Sequence, residues 1–174
     1  GCHDVIVRHL RVRIGGPVAT DSGESLAVYT ASASPNHVYN IIFDHCTVEW
    51  GHDGQATTSG NWDLITWQWC LIAEAIFDTT GGGREGATIG GGNLDVVNLG
   101  RITFHHNVLA HNEHRNPRLA QARLFDLRNT LCYNPGNRNG VDIEALVLNV
   151  SGRGNVVNNI YMKGPNSSTS SAVR

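Results

Sequence analysis

Asp21, Glu24, Asp53 and Glu74 offer the carboxylate oxygens that a hard cation takes, and calcium tolerates the irregular geometry that loop ligands give. Arg115 and Arg118 lie close behind them in His114-Arg115-Asn116-Pro117-Arg118, where the proline stiffens the loop between two guanidinium groups. Brought together, the six would make a site that is acidic and basic side by side, suited to an anionic substrate held through a cation. Taken singly, Asp21 and Glu24 suit turn capping as well as metal binding. Asp44, inside an apolar strand pattern, reads as a structural carboxylate. Asp126 and Arg128 alternate outward and read as a surface ion pair. Nine histidines include the pair His105-His106, but none falls in an HExxH pattern. The four cysteines, Cys2, Cys46, Cys70 and Cys132, have no zinc-ligand spacing and read as small buried fillers, with a Cys46–Cys70 bridge left open.

What could bring these residues together is a repeat. Short β-branched or aromatic runs recur, each ending in a small or amide residue: Leu10, Cys46, Cys70, Asn107, Asn129 and Asn159. Such a strand cannot bury its apolar face alone, but copies stacked in register bury a continuous core. Identical positions then lie about 4.8 Å apart. Asn107, Asn129 and Asn159 are accordingly expected to stack as an amide ladder, with Cys46 and Cys70 as apolar filler in the same column. No segment holds a long 3.6-residue apolar period. The pattern predicts an all-β chain, a right-handed parallel β-helix with rungs over residues 1–165 and a flexible tail over 166–174. The intervening stretches, Gly15 to Pro35, Asp78 to Gly100 and Asn134 to Ile143, read as inserts between rungs. The Gly-rich run Thr79 to Gly92 reads as a mobile loop beside a polymer groove, since it lacks the Gly-Lys-Ser/Thr ending of a phosphate loop.

With the strand ends as a ruler, Asp21, Asp53, Glu74 and Arg115 follow their strands at offsets of a few residues in four successive rungs. They are expected to share one lateral face. Asn149-Val150-Ser151 and Asn166-Ser167-Ser168 match the glycosylation pattern, which arises often by chance.

Composition narrows the partners. The 174 residues carry 13 Lys+Arg against 15 Asp+Glu, a formal charge of -2, with no block of like charge. That gives no footprint for a nucleic-acid backbone or an anionic membrane. No apolar run approaches the roughly 20 residues that span a bilayer. Lys163 is the single lysine; arginine's planar fork suits carboxylates, although a codon-biased genome explains the skew equally well.

The series Ile42-Phe43-Asp44-His45-Cys46 through Asp53, then Trp67-Gln68-Trp69-Cys70 through Glu74, then Phe104-His105-His106-Asn107 through His111-Asn112, with Arg115-Asn116-Pro117-Arg118 and Phe125-Asp126-Leu127-Arg128-Asn129, resembles the family 1 polysaccharide lyases, the pectate lyases. The resemblance implies a secreted, monomeric β-helix that cleaves polygalacturonate, an acidic plant cell-wall polysaccharide, by calcium-assisted β-elimination. It implies that Arg115 is the base and Arg118 a carboxylate clamp or shaping residue. Asp53, Glu74 and either Asp21 or Glu24 become calcium ligands, and Arg84 and His111 become substrate-binding residues. An arginine base, with a reference pKa of about 12.5 or more, implies an alkaline optimum. The sequence departs from the family pattern at Thr57, where a second aspartate is expected, and at Ala120, where a further arginine is expected. The family's lysine is not evident, and Arg84 is its nearest substitute. The family's upstream rungs are expected to precede Gly1, together with any signal peptide. Two other readings remain: a β-helical polygalacturonase-type hydrolase built on Asp44, Asp53 and Asp126, and a β-helix that binds polysaccharide without cleaving it.

Overall fold

A computed structural model describes residues 1–15, 23–30, 36–76, 84–90, 100–120, 122–136 and 152–167. Among them there are sixteen strands and no helix. They fall into rungs. The first comprises β1 (His3–Arg8), β2 (Arg11–Arg13) and β3 (Leu26–Tyr29); the second β4 (Val38–Asp44), β5 (Thr47–Glu49) and β6 (Gly54–Ser59); the third β7 (Trp62–Gln68), β8 (Leu71–Ala73) and β9 (Glu85–Ile89). The fourth comprises β10 (Arg101–His105), β11 (Val108–Ala110) and β12 (Arg118–Leu119). The last two have β13 (Leu124–Arg128) with β14 (Leu131–Tyr133), and β15 (Arg153–Val157) with β16 (Ile160–Met162). Like strands pair in parallel into three sheets, ordered β1-β4-β7-β10-β13-β15, β2-β5-β8-β11-β14-β16 and β3-β6-β9-β12. This is the right-handed parallel β-helix that the repeat predicts.

Register makes the core. Phe43, Trp67, Phe104 and Leu127 are successive partners across the first sheet and are all buried. Phe43 and Trp67 stack with ring centroids 4.0 Å apart. Val48, Ile72, Leu109 and Cys132 form the matching column of the second sheet. Each such column repeats one residue position at the spacing of neighbouring strands, so bulky apolar side chains fill the interior without gaps.

Two sequence expectations need correction. Two of the stretches read as inserts contain strands of the third sheet: β3 lies between Gly15 and Pro35, and β9 between Asp78 and Gly100. β9 is Glu-Gly-Ala-Thr-Ile and is buried at every position, so the end of the Gly-rich run is core. At Gly86 a small residue is required because a neighbouring turn presses on the strand. A Cβ on Gly86 would lie 2.6 Å from Asn116 Oδ1 and 2.8 Å from the Arg115 carbonyl oxygen. The rest of that run, residues 77–83 and 91–99, lies outside the described residues, as do the third insert beyond Gly136 and the tail beyond Ser167.

The amide ladder does not form as expected. Asn107 donates from Nδ2 to Trp67 O and accepts the Cys70 N–H at Oδ1, each at 2.9 Å. Asn159 does the same between Leu127 O and Thr130 N. Each amide therefore stitches backbone to backbone across one rung gap. Asn129 stands one residue earlier, in register with His106, and Thr130 occupies the Asn107 column. The positions His9, His45, Trp69, His106, Asn129 and Asn158 all turn the corner with φ between +51° and +55°. Asparagine tolerates that left-handed conformation better than most residues. In the first four rungs aromatic rings fill it and lie against one another, the closest pair being Trp69 and His106 at 4.2 Å.

The cysteines are all free. Cys46 and Cys70 sit in adjacent rungs, but each thiol points at backbone carbonyls: Cys46 Sγ at Val7 O and Cys70 Sγ at Gln68 O. Cys2, which precedes the first strand, is exposed, unlike the other three. Burial pushes the Cys70 and Cys132 thiols up to about 12. The thiolate is the reactive form. A chromogenic disulfide reagent at pH 8 is therefore expected to titrate one thiol in the native chain and four after denaturation. More than one fast native thiol would contradict the packing.

Candidate active site

Arg115 is presented by a turn that its own asparagines tie down. Asn112 Nδ2 donates to Ile72 O at 2.9 Å and to Asn116 Oδ1 at 3.0 Å, and Asn112 Oδ1 accepts the Ala75 N–H at 3.3 Å. Both asparagines are buried. The turn is then fastened to β9: Gly86 N–H donates to His114 O at 3.0 Å and Ala87 N–H to Arg115 O at 2.8 Å. Arg115 has φ +57°, and the Asn116–Pro117 peptide is cis. Arg118 follows on β12, in register with Thr88 of β9.

The side chain of Arg115 is an ion-paired cation. Its Nη1 donates to Glu85 Oε2 and, at 3.3 Å, to Thr88 Oγ1. The Thr88 hydroxyl donates to the same carboxylate oxygen at 3.0 Å. His114 Nε2 lies 3.8 Å from Glu85 Oε1. Glu85 is 6% exposed, whereas the Arg115 side chain keeps 25% of its surface in solvent. One end of the guanidinium is thus fixed from below and the group still faces outward.

One strand along the same sheet lie the acids. Asp53 sits at the head of β6, and its carbonyl accepts the Glu85 N–H at 2.9 Å. Glu24 leads into β3 and packs against Gly54, where a Cβ would lie 3.8 Å from Glu24 Oε1. Burial raises the Glu24 pKa above its ordinary value, and the charges of Asp53 and Glu85 push it the same way. Glu24, Asp53, Glu85 and the Arg115 turn therefore form one electrostatic unit on the third sheet. Glu24 and Asp53 fit a hard cation in donor type and in charge, since a bound cation would relieve their mutual repulsion. Among the described residues, no group of three or more His, Cys, Asp or Glu is placed to hold a metal.

The other expected residues fall elsewhere. Glu74 turns out of β8 with φ +56°, is exposed, and accepts the Trp50 indole N–H at 3.0 Å. Arg84 and His111 do come together: they line a cleft of about 580 Å³ with Glu113 and Asn134. Within it Arg84 Nη1 pairs with Glu113 Oε2 at 3.5 Å, and the Asn134 amide donates to His111 Nδ1 at 2.8 Å. Asp21 lies outside the described residues. Asp44 is structural, accepting from Arg8 Nε at 2.6 Å and Gln68 Nε2 at 3.0 Å. The Gln68 amide is the leading cause that holds its carboxyl below the ordinary value. Asp126 and Arg128 form a surface pair at 3.1 Å. Neither Asp44 nor Asp126 is directed at the Arg115 turn by these contacts. Thr57 is buried on β6, in register with Thr88. The residues that the sequence did not single out are Glu85, Thr88 and His114. A lone carboxylate inside a glycine-rich run was the one available signal for Glu85.

Known protein sequences resemble the chain along nearly its whole length. The chain is 30% identical over 173 residues to a probable pectate lyase C of Aspergillus terreus, 30% identical over 171 residues to that of Emericella nidulans and 28% identical over 176 residues to that of Aspergillus oryzae. Each alignment covers 98% of the chain. The chain is thus similar to part of these probable pectate lyases. It spans about a third of the length of these relatives, 34% to 35%. No family model matches it.

Proposed function

We propose that the chain carries the catalytic face of a secreted pectate lyase that breaks polygalacturonate by β-elimination. The observation that supports this most is the anchored Arg115, aimed outward beside the Glu24–Asp53 pair. Calcium would be held by Glu24 and Asp53. When bound, the ion supplies polarisation of the uronate carboxylate, which acidifies the proton on the sugar's C5. The chain's own residues do the rest. Arg118 orients a substrate carboxylate, and Arg84 and His111 hold the polymer along the cleft. Arg115, once it has given up its own proton to solvent at alkaline pH, takes the C5 proton while the C4–oxygen bond breaks; the electron pair of the C5–H bond becomes the C4–C5 double bond, and the departing oxygen is protonated from solvent.

The test is the ultraviolet absorbance of polygalacturonate incubated with the chain at alkaline pH, with calcium and then with chelator. Only elimination makes the absorbing unsaturated uronide. Absorbance that climbs with calcium and halts with chelator is the expected result. New reducing ends without absorbance would make the chain a hydrolase, and retention on immobilised polygalacturonate without either product would make it a binding module.

A further inference from the structure

We propose that Glu85 is a positioning residue that fixes the direction of the Arg115 guanidinium, an inference that rests on the lyase reading for its catalytic consequence but not for its geometry. A carboxylate is costly to bury and persists only where partners compensate it. Glu85 heads a strand buried at every position and has those partners: Arg115 Nη1 and the Thr88 hydroxyl on Oε2, and His114 on Oε1. Its backbone is equally fixed. It is paired with Gly54 in the neighbouring strand, donates to Asp53 O and bridges to His114 in the next rung. A free arginine side chain samples many rotamers, and ordering it has an entropic cost. Among the described residues both contacts, to Glu85 and Thr88, fall on Nη1, so the fork is gripped from that side.

Holding a reacting group in place acts on turnover more than on ground-state binding. Glu85→Gln, which keeps the size and an acceptor for Thr88 but removes the charge, is expected to lower kcat at least tenfold, with KM for polygalacturonate within twofold of the parent. Glu85→Asp, which restores the charge one methylene short, is expected to recover part of kcat. A melting curve on each variant separates this from unfolding. The second readout needs no activity: labelling with an arginine-specific dicarbonyl, followed by peptide mass spectrometry. In Glu85→Gln, Arg115 is expected to be modified several-fold faster than in the parent, while Arg84 keeps its rate. Unchanged Arg115 labelling, or an unchanged kcat in an active chain, overturns the proposal. A parent chain that makes no unsaturated uronide, with Arg115 labelling still accelerated in the variant, would sink the lyase reading and leave the anchoring role of Glu85 supported.

Discussion

Arg115→Ala is expected to remove lyase turnover and, independently, to destabilise the chain. Loss of a general base costs about 10²- to 10⁴-fold in rate. The stability loss has a different origin: truncation leaves the Glu85 carboxylate buried without its cation, a penalty on the order of 3 kcal/mol. For a domain of this size that lowers the melting temperature by roughly 6–12 °C. An inactive Arg115→Ala protein could therefore owe its inactivity to unfolding. Two further variants resolve this. Arg115→Lys keeps the positive charge over Glu85 but lacks the planar fork, so it is expected to melt near the parent temperature and still lose turnover. The double variant Glu85→Gln/Arg115→Ala removes both charges and is expected to regain most of the lost stability and none of the activity. A melting temperature for Arg115→Ala equal to that of the parent would mean that the ion pair contributes little to folding. Full turnover in the same variant would remove Arg115 from the mechanism.

Asn107→Ala is expected to have the largest effect on stability of any polar substitution outside the site. The amide is 1% exposed and bonds two backbone groups of the preceding rung, Trp67 O and Cys70 N–H. Alanine leaves both buried and unpaired, at about 1–3 kcal/mol each. Urea unfolding is expected to show a loss of roughly 2–5 kcal/mol, reduced from the simple sum by local relaxation. Asn129→Ala is the contrasting case. Asn129 is exposed and serves through its left-handed backbone, so its replacement is expected to cost only about 1 kcal/mol. Equal losses at the two positions would contradict the distinction between a stitching asparagine and a corner asparagine.

That distinction marks one limit of what the sequence shows. Both asparagines end an apolar run, and composition does not separate them. A one-residue shift in register does, because it exchanges an inward amide for an outward one. The third sheet marks another. The first two sheets announce themselves through Ile, Phe, Trp and Val at fixed intervals, whereas β9 carries a glycine in mid-strand, where the Arg115 turn lies directly against Gly86, and follows a glycine-rich run. With only Ala87 and Ile89 as buried apolar residues, its hydrophobic signature is too short to read.

The site divides in the same way. Arg115 and Arg118 were legible because a proline and two asparagines define their turn locally, and Asp53 because it follows a recognisable strand. Glu85 was not, since its importance lies in a contact across thirty residues of chain with Arg115. Glu74 shows the converse: its offset suggested the same face, but it turns out of β8 and its carboxylate accepts the Trp50 indole N–H.

The sequence by itself determined the parallel β-helix, the all-strand content and the arginine turn, because stacked rungs repeat local patterns at one strand spacing. Only the tertiary structure decided which residues pair between rungs. Insert lengths, and not local patterns, set which side chain of one coil meets which of the next, and so Glu85 grips Arg115 while Glu24 and Asp53 remain side by side.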